Sequence, residues 1–302
     1  MHMKSRDLLL GVLVTVIWGS NFSVIEVGLR DLDPLLLTAL RFSFSAIPLV
    51  FFLRWPDGVH LASVAGYGVI FGVGLWWVVN IALSRGLSPG LSSLLLQFSA
   101  FFTILLSSLF FQERINRFQG AGMTLSVAGL IAIIHLTHGS ASASGVALVL
   151  FAAVAWSVCN LIVKTSRPAN MMAFVAWSSA FAAPALFALT YLSKGSAPFR
   201  QLTQHVTGAA VFSVLFQAYI TTVFGYMVWN TLMKKYPAAT VAPLSLLVPI
   251  SGVITSYLVF DEHLSAGMWI AMFVVVCGIA LFVCSQRLMR TVSAAPEASL
   301  PR

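Results

Sequence analysis

Ten runs of about twenty apolar residues follow one another along this chain, joined by short polar stretches, and nothing else constrains the fold as much. As a helix, a run of that length matches the ~30 Å hydrocarbon core of a bilayer. The runs lie near 8–28, 34–53, 62–84, 91–111, 119–137, 145–163, 171–192, 207–231, 239–260 and 266–285. Charged residues make up 9% of the chain and hydrophobic ones 59%, against about 25% and roughly 45–50% in soluble domains. So few charges cannot coat a soluble surface, and the excess apolar area must face lipid. There, backbone groups are satisfied only within helices or closed barrels. Barrel strands alternate polar and apolar residues over about ten positions, whereas these runs are apolar on every face. The prediction is an all-α membrane protein of ten transmembrane helices.

The joints carry the turn and charge residues: Arg54–Gly58, Gln112–Arg117, Lys164–Pro168 and Lys234–Pro237. The stretch Lys194–His205 is the longest, so no soluble domain is expected. Lys and Arg gather on the cytoplasmic side of membrane proteins. Twelve fall on one side (Lys4, Arg6, Arg54, Arg114, Arg117, Lys164, Arg167, Lys234, Lys235, Arg287, Arg290, Arg302) and four on the other (Arg30, Arg85, Lys194, Arg200). Both termini are therefore expected in the cytoplasm of a multi-pass membrane protein. Basic residues scattered in this way do not form a nucleic-acid surface. Cys159, Cys277 and Cys284 all fall within spans, which suggests neither a disulfide framework nor a metal site. The first run is too long for a signal peptide and lacks a small-residue cleavage site. Residues 291–302, polar and rich in Pro and Ala, are expected to be a disordered tail.

The two halves match at fixed offsets. Trp18 and Asn21 are echoed by Trp156 and Asn160; Trp77-Val-Val-Asn80 is answered by Met227-Val-Trp-Asn230; Glu113 and Gly129 correspond to Glu262 and Gly278. Residues 1–138 and 139–290 therefore read as two five-helix repeats. Five is odd, so the second copy enters the membrane from the opposite side. Inverted repeats around a central cavity are a carrier architecture, in which the halves exchange conformations.

The segments Trp18-Gly-Ser-Asn-Phe22, Pro34 with Leu40-Arg41-Phe42, and the two Glu-containing joints resemble the EamA family of the drug/metabolite transporter superfamily, over essentially the whole chain. Leu94–Gln97, Ala100–Ile104 and Val241–Pro249 resemble the branch that exports O-acetylserine and cysteine. That resemblance implies ten helices, an inner-membrane location, and export of small amino-acid metabolites by alternating access. Other members export aromatic or other amino acids or drugs. The branch carries a basic residue late in the first span, where this chain has Glu26.

Large polar or amphipathic residues within spans tend to face the bundle interior or a watery cavity. Trp18, Asn21, Trp77, Asn80, Trp156, Asn160, Trp229 and Asn230 are candidates to bind a zwitterion, indole faces taking an ammonium and amides donating to a carboxylate. Gln97, Phe98, Phe101, Tyr226 and Ser245 extend the candidate lining. The competing reading makes each Asn packing glue between helices and each Trp an interfacial anchor. Pro243 and Pro249 remove backbone donors and predict a kinked ninth helix. Arg41 is the cation inside a span, and Glu26 lies at a similar depth, so an ion pair is expected. The alternatives make Arg41 a carboxylate binder or Glu26 a titratable coupling group. Glycines 120, 122, 129, 267 and 278 permit close helix approach, within the monomer or in a weak homodimer.

An enzyme would need a catalytic constellation. His135 and His138 have no acid beside them, and no catalytic residue, metal ligand or cofactor is predicted. A channel would need rings of charges or carbonyls, which an inverted repeat does not suggest. The expected partners are a small amino-acid-like substrate and the bilayer.

Overall fold

A computed structural model describes residues 3–112, 115–136, 143–204, 206–236, 241–261 and 264–293. Among these residues the chain is helical throughout, without strands. The helices are α1 (Ser5–Leu29), α2 (Pro34–Phe52), α3 (Leu61–Ser84), α4 (Pro89–Phe111), α5 (Arg117–Leu136), α6 (Ala143–Ser166), α7 (Met171–Lys194), α8 (Gly208–Met233), α9 (Leu244–Phe260) and α10 (Ala266–Ser293). Seven of them, α1–α4 and α6–α8, are long and apolar enough to cross a membrane. The observed ends fall within three residues of the expected ones, except that α9 begins at Leu244 rather than near 239 and α10 runs on to Ser293 rather than ending near 285. Glu113, Glu262 and His138 lie outside the described residues, as does the chain beyond Ser293; residues 291–293, expected in the tail, continue α10.

Local chemistry sets the starts. Asp33 accepts from the backbone N–H groups of Leu35 and Leu36, with Pro34 opening α2. Ser88 and Pro89 do the same for α4, Asn170 caps α7 and Thr207 caps α8. Such side chains satisfy orphan N–H groups that a membrane helix cannot leave bare. At the far ends of α4 and α9, Gln112 (φ 56°) and Asp261 (φ 52°) turn left-handed, a helix-ending conformation. The stretch read as a long loop holds a short helix, Ala197–Gln204, polar on one face.

Five helices are irregular within the bundle, α2 being interrupted at Ile47–Pro48. α3 widens into a π-helix over Ile70–Trp77, and α8 does so over Phe216–Phe224. α4 breaks at Gln97–Phe98. A 3₁₀ turn over Ala242–Leu246, with Pro243 at its start, leads into the α-helical part of α9, and Pro249 lies in that part's first turn.

The packing is ordered by small residues. α1 lies on α9, α6 on α4, α2 on α7, α3 on both α6 and α7, α8 on both α1 and α2, and α4 on α9. A Cβ on Gly19 would come within 2.3 Å of the Val248 carbonyl, and one on Gly252 within 2.2 Å of Ser93 Oγ. These approaches let α1, α4 and α9 meet backbone to backbone, which sustains association in lipid. α5 and α10 form a separate seam. Gly129 faces the Ala271 carbonyl and Val275, while Gly278 faces the Gly122 carbonyl and Ser126, and Ser126 Oγ donates to the Val275 carbonyl at 3.2 Å.

Candidate substrate cavity

The interior of α1–α4 and α6–α9 is not solid. A cavity of about 470 Å³ runs from Arg41, Phe22 and Trp76 to Val163, Met171 and Met233, at the end of the bundle where α1 begins. Trp18, Tyr67, Gln97, Trp156, Asn160, Thr221, Tyr226, Trp229, Asn230 and Ser245 also line it. Its size suits a small ligand, since such sites span roughly 300–1,000 Å³.

The aromatic wall is held in place by the helix irregularities. Trp18 Nε1 donates to the Thr221 carbonyl at 3.0 Å, inside the π-helix of α8. Its ring lies 5.2 Å from Trp229 and 5.5 Å from Tyr226. Glycine is required at position 225, where a Cβ would stand 2.5 Å from the indole nitrogen. Tyr67 on α3 and Tyr226 on α8 both line this wall. A π-turn holds an extra residue and so shifts the faces that follow it. In α3 it brings Trp76 to the cavity, while Trp77 packs against the core.

Arg41 is the charged group of the lining, and it is 1% exposed. Its guanidinium carbon sits 4.0 Å from the Trp76 ring centroid. Nη2 donates to Thr222 Oγ1 at 3.2 Å, and Thr222 in turn donates to the Gln217 carbonyl. Nε and Nη1 have no partner within the described protein. An indole face returns about 2 kcal/mol to a desolvated cation, whereas burying an ion costs several kcal/mol. Trp76 and one hydroxyl therefore do not offset the burial.

The expected Glu26–Arg41 ion pair gives way to this arrangement. Glu26 Oε2 is buried without a hydrogen-bond partner, and the cation acting on it is Arg30, one turn further along. Equal depth in two helices does not fix the rotation of either, and α1 turns Glu26 away from the lining.

Of the other expected residues, the cavity brings together Trp18, Gln97, Trp156, Asn160, Tyr226, Trp229, Asn230 and Ser245. Asn160 Nδ2 also donates to Thr103 Oγ1 at 3.0 Å. Asn21, Trp77, Asn80, Phe98 and Phe101 stand outside the lining. Asn21 accepts from Thr221 Oγ1 at 2.9 Å, Asn80 donates to Thr38 Oγ1 at 2.9 Å, and Phe98 and Phe101 pack together beside Phe282. Both amides join helices. The sequence reading missed Phe22, Tyr67, Trp76 and Thr221; the 150-residue offset between Asn80 and Asn230 would have carried Trp76 onto Tyr226.

Beyond the cavity, each end of the bundle is tied. Asp33 pairs with Lys194 and Asp31 accepts from Thr207 at one end. At the other, Asp7 pairs with Lys235 at 2.6 Å and accepts from the Tyr236 hydroxyl. The Asp7 hydrogen bond holds the Lys235 ammonium above its ordinary titration range.

An apolar helical bundle around a ligand-sized cavity defines a multi-pass membrane transporter. The EamA-like transporter family model matches residues 6–135 and again 143–284, and the chain belongs to that family, within the drug/metabolite transporter superfamily. It is a transporter and not an enzyme. It is 34% identical over 297 residues to the "probable amino-acid metabolite efflux pump" of Escherichia coli (strain K12), covering 96% of this chain and 99% of that one. The protein of the same name from Salmonella typhimurium is 34% identical over 296 residues, 96% of this chain and 98% of that one. A solved structure described only as "Crystal structure of protein" superposes with a TM-score of 0.65 at 19% identity, over 97% of this chain and all of that one, and shares the fold.

Proposed function

We propose that this protein exports small amino-acid metabolites of the cysteine and O-acetylserine kind across the inner membrane, by alternating access between two inverted five-helix halves. The observation that carries the reading is the cavity: it lies inside the bundle, draws its lining from both halves, and combines indole faces, amides and a buried cation. Two-fold exchange of the halves is supported by the packing. Swapping α1–α5 with α6–α10 turns α1 on α9 into α6 on α4, and α3 on α7 into α8 on α2, both of which occur. The two π-helices, the two breaks in α4 and α9 and the two left-handed caps also fall at corresponding places.

With both termini in the cytoplasm, the cavity lies toward the cytoplasmic end of the bundle, and the Asp33–Lys194 tie marks the outer one. That is a cargo-loading conformation. Trp18, Gln97, Trp156, Asn160, Tyr226, Trp229, Asn230 and Ser245 are proposed to line the cargo path. The aromatic richness of the wall favours, as a second reading, an exporter of aromatic or broader amino acids or drugs.

Uptake of labelled cysteine, O-acetylserine, threonine and phenylalanine into inverted vesicles discriminates between these readings. Saturable uptake led by cysteine or O-acetylserine is expected. Preference for phenylalanine selects the second reading, and saturable uptake of none of the four overturns both.

A further inference from the structure

Several buried side-chain atoms of the cavity lining lack a hydrogen-bond partner. The lining side-chain atoms that are buried without a partner in the described protein are Arg41 Nε and Nη1, Trp76 Nε1 and Asn230 Nδ2, and each of them is a donor. Unmet buried donors are costly, and a bound ligand that satisfies them recovers the loss. The ligand matching these donors is an acceptor. Where the donors belong to a guanidinium, the acceptor with matching planar geometry is a carboxylate, which takes two parallel N–H bonds. Arg41 is already fixed for this role. One Nη2 hydrogen is tied to Thr222 and Trp76 lies 4.0 Å from the guanidinium carbon, so Nε–H, the Nη1 hydrogens and the second Nη2 hydrogen are left for a ligand, and Nη2 can share a carboxylate with either neighbour.

We infer that Arg41, backed by Trp76, is the receptor for a substrate carboxylate, and that the cavity accepts carboxylate-bearing metabolites while rejecting amines that lack one. This rests on the cavity being the cargo site, as proposed above, and narrows the cargo to acids and zwitterions. A cation without a carboxylate would meet Arg41 as a like charge in a medium that screens poorly. The indoles of Trp18 and Trp229, tilted against each other further along the wall, are placed to meet an ammonium on the same molecule.

The test uses the purified full-length protein in detergent and reads its melting midpoint with four related compounds. These are phenylalanine, its amide, phenethylamine and 3-phenylpropionate, with cysteine, cysteamine and 3-mercaptopropionate as a second series. The acids and zwitterions are expected to raise the midpoint, and the amides and amines to leave it unchanged. Arg41→Met should weaken the acid response by about thirtyfold in concentration, the scale of removing one partner of a buried charge pair, and Arg41→Lys should restore part of it. Amines that stabilise as strongly as acids would overturn the inference, as would a wild-type protein that responds to none of the compounds. The wild-type comparison does not depend on either variant folding. A carboxylate response without vesicle uptake would leave the inference standing and remove the exporter reading alone.

Discussion

In the two-half arrangement proposed above, the halves of the bundle share a scaffold but not a chemistry. Counting from the capping residues Asp33 and Asn170, Arg41 in α2 corresponds to Ser178 in α7: one is a cation lining the cavity, the other a buried hydroxyl whose backbone carbonyl packs against Gly68. In the third helix of each half, Trp76 corresponds to Tyr226, and both face the cavity, Trp76 within a π-turn and Tyr226 just after one. The amino-terminal half contributes the charge and the ring beneath it, whereas the carboxyl-terminal half contributes Asn160, Asn230 and Ser245. The lesson is that shared backbone breaks place corresponding positions in one cavity, and that divergence at those positions gives the cavity a polar direction.

The seam between α5 and α10 is where the correspondence should be strongest, and it offers the largest effect. Gly129→Leu and Gly278→Leu each drive a side chain into the facing backbone. Each should cost about 3 kcal/mol, the upper range of overpacking, and depress melting midpoint and yield of purified protein equally. If one is tolerated and the other not, the seam is not two-fold.

Trp76 and Tyr226 sharpen the comparison in the opposite direction. Trp76→Leu removes the ring beneath Arg41 and should raise the KM for uptake about thirtyfold, corresponding to a desolvated cation–π contact of about 2 kcal/mol. Tyr226→Phe removes a hydroxyl from the cavity lining and should raise it about fivefold, the scale of one net hydrogen bond to the cargo. Equal effects would mean that the halves contribute alike.

Glu26 gives the smallest effect. It stands outside the lining, so Glu26→Gln should leave both uptake and its dependence on external pH unchanged. A flattened pH profile would make Glu26 the coupling group and add a second charged element to the amino-terminal half.

The spans were legible in the sequence because apolar length is a direct response to bilayer thickness, and Arg41 stood out because a charge inside a span is costly. What was not legible depends on helix rotation. Trp76 and Trp77 are adjacent, and the π-turn that contains them decides which reaches the cavity. Asn21 and Asn80 look like Asn160 and Asn230 in sequence, yet they join helices through Thr221 and Thr38. The short helix Ala197–Gln204 carries no apolar run and therefore read as a loop.

The account depends above all on the cavity being the route of the cargo. In a variant with Cys159, Cys277 and Cys284 replaced, a cysteine at Ser245 can be titrated with a membrane-impermeant thiol reagent in inverted vesicles. Rapid labelling, suppressed by saturating O-acetylserine, which carries no thiol to consume the reagent, is the predicted result. Labelling that cargo leaves untouched, in vesicles that still take the cargo up, would contradict it.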